Sequence, residues 1–155
     1  MSLLKKLFSK ELSPEDQIGE RIKSIIEICL EYVNLNENEV DNVFIFATIE
    51  ESQYISNSYK INGQLVERHK VNDHLSKKVS IDLEQQMQVL DICNNDLTSI
   101  QEIFKNEDRE MFKHLKITYD VKSRKMDSSF DYKNLLTGTD LTPHDIEDKW
   151  LKSLS

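Results

Sequence analysis

The dipeptide Asn62-Gly63 constrains the chain most, because it stands between two runs of strand-forming residues, QYISNSYKI and QLVERHKV. A two-residue type I′ turn needs positive φ at both central positions, which Asn and Gly accept at little cost, so the pair predicts an antiparallel hairpin. Just upstream, NVFIFATIE is β-branched and aromatic on both faces. It predicts a strand from about residue 43 to 50 that is buried more than its neighbours. Three antiparallel strands are the economical result.

A second hairpin is written into KITYDVKSRKMDSSFDY, residues 116–132. Leu115, Ile117, Tyr119 and Val121 share one face, and Met126, Phe130 and Tyr132 share one face of the segment that follows. The off-beat positions are polar: Lys116, Thr118, Asp120, Asp127, Ser129 and Asp131. A period of two with one wet side predicts a half-buried hairpin, joined near Ser123-Arg124-Lys125.

Three helices complete the pattern. Ser13 is a cap, Pro14 suits a first helical position and Asp16 stands where a capping box puts its acid. Ile18, Ile22, Ile25, Ile26, Cys29 and Val33 then recur at helical steps, opposite an acidic face of Glu20, Glu27 and Glu31. From Asp82 to about Phe104, the stripe Leu83, Met87, Leu90, Cys93, Leu97, Ile100 and Phe104 predicts a second helix with Met87 and Phe104 as core positions. After the loop LLTGTD, Thr142, Pro143 and Asp145 repeat the start signal, and Ile146, Trp150 and Leu154 form the stripe of a third helix.

The predicted order is α-β-β-β-α-β-β-α, an α+β fold with an antiparallel sheet of about five strands packed by helices. At 155 residues one domain is expected. We assign it to residues 13–155, after a basic amphipathic leader, 1–12, whose SLLKKLFSK alternates apolar and basic residues. That leader is too short to hold a membrane well alone, and docking on the domain or fraying are its other options. Its apolar run is too short for a signal peptide, and no segment approaches the roughly 18 apolar residues of a membrane span. A cytoplasmic protein is expected.

Charge narrows the function classes. The net charge of −8 argues against direct nucleic-acid binding, which needs an excess of Lys and Arg. Acid is concentrated in two segments: residues 11–53 carry 11 acids against 2 bases, and residues 82–110 carry 8 against 2. Cys29 and Cys93 lie far apart with no CxxC, which predicts two reduced core thiols and neither a metal site nor a disulfide framework. No HExxH, GxSxG or phosphate-loop motif occurs, and three glycines cannot build a phosphate cradle. No cofactor and no catalytic residue is therefore expected.

Asp120 and Asp131 on one polar face raise the question of an acid/base pair. Lys116, Lys122 and Lys133 beside them make a solvated face of ionised carboxylates the simpler reading. The sharper candidates are Glu37, Glu39 and Asp41 in NENEVDN and the turn Glu50-Glu51, at the two ends of the first strand. Such acids would steer a basic partner by long-range attraction, with Asp127 and Asp131 as further candidates. Ordinary solubility charge is the plain alternative.

Several of these texts together resemble a family, the YezG-type immunity proteins, antitoxins to secreted bacterial nuclease toxins. The matching stretches are DNVFIFATIE, SYKINGQLVERHKVN, HLKITYDVKSRKMDSSFDYKN and IEDKWLKSL, in the family's order over residues 15–155. The family often has Trp-Glu-Lys where this chain has Val40-Asp41-Asn42, and a Trp where it has Met111-Phe112. Apolar bulk is kept at both places, whereas the leader has no counterpart. The resemblance implies a binding protein that neutralises a cognate toxin, a nuclease domain, by tight one-to-one contact. A secretion-chaperone-like protein that binds an effector before export is the alternative for a small acidic domain with this element order.

Overall fold

The computed structural model describes residues 12–154. The predicted leader therefore lies, apart from Leu12, outside the described residues. Within them the chain runs α1 (Pro14–Tyr32), β1 (Val40–Thr48), β2 (Tyr54–Ile61), β3 (Gln64–Glu67), a 3-10 helix (Arg68–Asp73), α2 (Leu83–Asn106), β4 (His114–Asp120), β5 (Lys125–Asp131) and α3 (Pro143–Ser153). The five strands form one antiparallel sheet in the order β3-β2-β1-β4-β5. This is the predicted α+β architecture.

Local chemistry explains most boundaries. Ser13 Oγ accepts the Asp16 N–H at 3.1 Å to cap α1, and Asp82 Oδ1 accepts the Gln85 N–H at 2.8 Å to cap α2. α3 carries a full capping box: the Asp145 N–H donates to Thr142 Oγ1, and the Thr142 N–H donates to the Asp145 carboxylate at 2.8 Å. Asn62 and Gly63 take φ of 49° and 80° between the paired Ile61 and Gln64, as a type I′ turn requires. Replacing Gly63 by Ala meets no neighbour within 4 Å, so its cost is purely conformational. We expect a loss of about 1 kcal/mol in urea unfolding, with the hairpin register kept.

The sheet has two unlike faces. Val43, Ile45, Ala47, Ile55, Tyr59, Leu115 and Ile117 point to α1 and α2 and join the main core, in which 26 of the described residues are buried. Phe104, Phe112 and Phe130 close one end of it, with ring centroids 4.8–5.0 Å apart. On the opposite face Phe46, Leu136 and Ile146 form a separate small cluster, and Trp150 of α3 packs on Phe44 and Phe46. A buried side chain of this size contributes about 1.5–3 kcal/mol. Three of them hold α3 far less firmly than the main core holds α1 and α2, so polar contacts decide how that layer is anchored.

Two sequence expectations need correction. The run QLVERHKV does not continue as a strand: β3 ends at Glu67 and a 3-10 helix follows. Val66 faces the core, so alternation would have driven Arg68 and Lys70 into it as well. Turning at Arg68 instead buries Val71 and Leu75, both at most 2% exposed, and lets Arg68 Nη1 donate to Asn57 Oδ1 at 2.8 Å.

In α2 the predicted stripe is displaced at its start. Leu83 and Met87 are 73% and 52% exposed, while Val89, Cys93, Asp96, Leu97, Ile100 and Phe104 are buried. α2 has 24 residues against 19 in its antiparallel neighbour α1, so its first turns project past the surface they would cover. Met87 is therefore not a core residue, whereas Phe104 is. Among the described residues no helix is long and apolar enough to cross a membrane.

Candidate partner-binding site

Glu50 was expected to be a free acid at the end of the first strand. β1 stops at Thr48, and the Glu50 side chain turns inward to only 1% exposure. Its carboxylate accepts the backbone N–H groups of Leu135, Leu136 and Thr137 at 2.5–3.0 Å and the Thr137 hydroxyl at 2.6 Å. The buried His114 Nε2 lies 3.1 Å both from Glu50 Oε1 and from the Lys133 carbonyl, and the ring stacks on Phe46. Burial pushes the Glu50 carboxyl up, but the bonds from Thr137 and the three backbone donors outweigh it and hold the group down to about 2. Glu50 is thus the clasp of the loop leading to α3 and is withdrawn from any partner.

Glu39 and Asp41 are also employed internally. Glu39 accepts from the Ser76 hydroxyl at 2.6 Å, the Ser76 N–H at 3.2 Å and the side-chain amides of Asn62 and Asn36. The Ser76, Asn62 and Asn36 bonds lower its carboxyl to about 2. Asp41 Oδ2 accepts the Gly63 N–H at 2.8 Å, and its own carbonyl accepts the Val121 N–H. Both acids tie turns to the start of β1. Glu39 engages both its carboxylate oxygens this way, whereas Asp41 commits only Oδ2.

The remaining candidates do not converge. Glu37 is exposed and sits 3.9 Å from Arg124, whereas Glu51 is exposed at the far end of β1. The nine residues of β1 separate the two ends by roughly 30 Å. Asp127, opposite Thr118, is exposed in the middle of β5, and Asp131, opposite His114, accepts the Lys133 N–H at 2.9 Å. Asp120 and Asp131 occupy opposite ends of their hairpin, roughly 20 Å apart, and so cannot share a proton. The polar face of β4 and β5 is a set of separate, solvated or turn-capping carboxylates.

The concentrated free acid lies along α1. A groove of about 620 Å³ runs between α1 and the β4–β5 hairpin, walled by Ile26, Leu30, Tyr119 and Met126 and rimmed by Glu15, Asp16, Glu20 and Glu27, with Lys23 and Arg124 also lining it. Arg109 pairs with Glu15. Asp16, Glu20 and Glu27 have no ion-pair partner among the described residues. Glu31, one turn beyond Glu27, continues the stripe on the same exposed side. The acidic face of the first helix was legible in the sequence, but the groove beside it was not, because its other wall is contributed by residues some 90 positions away.

A second concavity, of about 260 Å³, lies between α3 and the β2–β3 edge. Glu147, 3% exposed, accepts the Tyr54 hydroxyl at 2.9 Å, and burial raises its carboxyl. Burial first, and then Glu147, push Tyr54 up to about 12. Nothing in the sequence singled out Glu147, which falls beside the apolar stripe of its helix. The polar groups of this wall already contact one another: Glu67 lies 3.4 Å from His69, Glu147 3.6 Å from His144, Asp148 pairs with Lys152, and Arg68 Nη1 donates to the neutral Asn57 amide oxygen.

Cys29 and Cys93 are free and buried between α1 and α2, and a hydrogen bond with Cys93 together with burial pushes the Cys29 thiol up. Among the described residues no group of three or more His, Cys, Asp or Glu is placed to hold a metal ion. No family model matches the chain, and none of the curated proteins compared with it is similar.

Proposed function

We propose that the chain is an immunity protein, a cytoplasmic antitoxin that neutralises a cognate secreted toxin by binding it rather than by chemistry. The observation that carries this reading is the groove beside α1, in which an apolar floor is flanked by Asp16, Glu20 and Glu27, carboxylates with no ion-pair partner among the described residues. A nuclease that grips phosphate presents a basic surface, so an acid-rimmed apolar groove is complementary to it in both charge and desolvation. The resemblance of the strand texts to YezG-type immunity proteins points the same way.

The decisive experiment mixes the chain with the toxin domain encoded beside its gene. A one-to-one complex and loss of toxin activity at stoichiometric ratio are expected. A toxin domain that stays fully active beside an equimolar amount of the chain would refute the proposal. Capture of only an unfolded toxin segment by a dimer of the chain would place it with the secretion chaperones.

A further inference from the structure

The two edges of the sheet differ in length. β3 closes one edge with four residues and then gives way to the 3-10 helix. β5 forms the other edge with seven, Lys125–Asp131, a span of about 23 Å. Its register with β4 runs without a shift, it contains no proline, and five of its seven residues are exposed. Among the described residues no strand pairs with its outer side. Such an edge offers a row of backbone N–H and C=O groups that another strand can take up.

The side chains of β5 say which strand fits. Two copies of β5 laid antiparallel pair all seven residues in a single register, the one that sets Ser128 opposite Ser128. Lys125 then faces Asp131, Met126 faces Phe130 and Asp127 faces Ser129, and two-fold symmetry makes each pair twice. Met126 and Phe130 lie on the face toward α1 and α2, opposite Tyr119 and Leu115, so the apolar pairs extend the dry side of the sheet. Lys125 has no ion-pair partner among the described residues, and Met126 is 41% exposed. Sliding one copy by two residues is the smallest step that keeps like faces together. It sets Asp127 against Asp127 or against Asp131, so like charges oppose the neighbouring registers.

We propose that a second copy of this chain occupies the edge, β5 against β5 about a two-fold axis at Ser128, which joins two five-stranded sheets into one of ten strands. Backbone pairing supplies the attraction, and the Lys125–Asp131 and Met126–Phe130 pairs fix the register. Seven residues a side are fewer than the roughly 20–30 of a standard interface, so the dimer forms at micromolar rather than nanomolar concentration. The pairing does not depend on the immunity reading, because a dimer still offers one copy to each toxin domain.

Sedimentation velocity of the full chain up to about 100 μM tests it without a toxin, and a reversible dimer is expected. Lys125→Asp sets acid against Asp131 at both ends of the contact and is expected to raise the dissociation constant at least about tenfold at low salt. Adding Asp131→Lys rebuilds the pair in reverse and is expected to restore the dimer. In a Ser128→Cys variant the two introduced thiols meet at the axis, where directly opposite Cβ atoms lie about 4.5–5.5 Å apart. Oxidised glutathione is expected to join them into a covalent dimer, since both native thiols are buried. Glu51→Cys, exposed but far from β5, serves as the control. A chain that stays monomeric over this range overturns the proposal. So does a dimer indifferent to Lys125→Asp or not restored by the double change, and so does Glu51→Cys cross-linking as fast as Ser128→Cys.

Discussion

Replacing Glu50 by Ala is expected to destabilise the protein by about 2–4 kcal/mol in urea unfolding at pH 7, the scale of partly buried backbone donors losing a shared acceptor. Glu51→Ala, one residue further along, is expected to change stability by less than about 0.5 kcal/mol. Removing the Glu50 carboxylate takes the acceptor from the N–H groups of Leu135, Leu136 and Thr137 at once; the first two bonds are partly buried, where a donor that water does not reach costs about 1–3 kcal/mol, while the Thr137 N–H is open to solvent. These donors hold Leu136 over Phe46, and that cluster seats α3. Trp150, the single tryptophan, packs on the same Phe46 and reports the loss of this layer by fluorescence.

The pH dependence has a defined sign. The Glu50 carboxyl is held down to about 2 in the folded protein against an ordinary value of 4.5. Its stabilisation is complete above pH 4.5 and is lost as pH falls through about 2, because the unfolded state then binds the proton more readily than the folded one. Glu39, lowered to about 2 by Ser76, Asn62 and Asn36, adds to the same window. In Glu50→Ala the decline between pH 4.5 and 2 is expected to be shallower than in the unaltered chain. An equally steep decline would show that the clasp does not contribute in the way its geometry implies.

Reversing the stripe on α1 with Glu20→Lys, Glu27→Lys and Glu31→Lys is expected to slow association with a basic toxin domain about 10- to 100-fold at low salt, the scale of electrostatic steering. These side chains are exposed, so the fold is expected to tolerate the change within about 1 kcal/mol. At 1 M salt the Debye length shrinks to about 3 Å, and the reversed and unaltered chains should associate at nearly equal rates. Glu39→Gln and Asp41→Asn should instead lower stability with little effect on the association rate, since both carboxylates are committed to Ser76, Asn62 and Gly63. If the reversed stripe associates as fast as the unaltered one at low salt while complexes still form, the partner docks elsewhere.

The strand and helix periods were readable because they record which face of an element is dry. Asn62-Gly63, the Thr142–Asp145 box and the alternation through β4 all predicted local geometry that the fold then uses. The same reasoning failed at the ends of elements. Whether Leu83 and Met87 find a surface depends on where the shorter α1 stops, and whether β3 continues depends on which side Arg68 would face.

The candidate site divides along the same line. An acidic first helix follows from residue spacing alone, so Glu20, Glu27 and Glu31 could be placed on its wet side from the sequence. What the remaining acids do was settled by distant backbone: Glu39 meets Ser76, 37 positions away, and Glu50 meets Leu135, Leu136 and Thr137, 85 to 87 positions away. A carboxylate's charge is a property of its residue, but its availability depends on which donors the folded chain brings to it. The sequence by itself determined the elements, their dry faces and the sign of the surface. Only the tertiary structure decided which acids are free, because hydrogen bonding and burial at loop ends are set by contacts that no local period encodes.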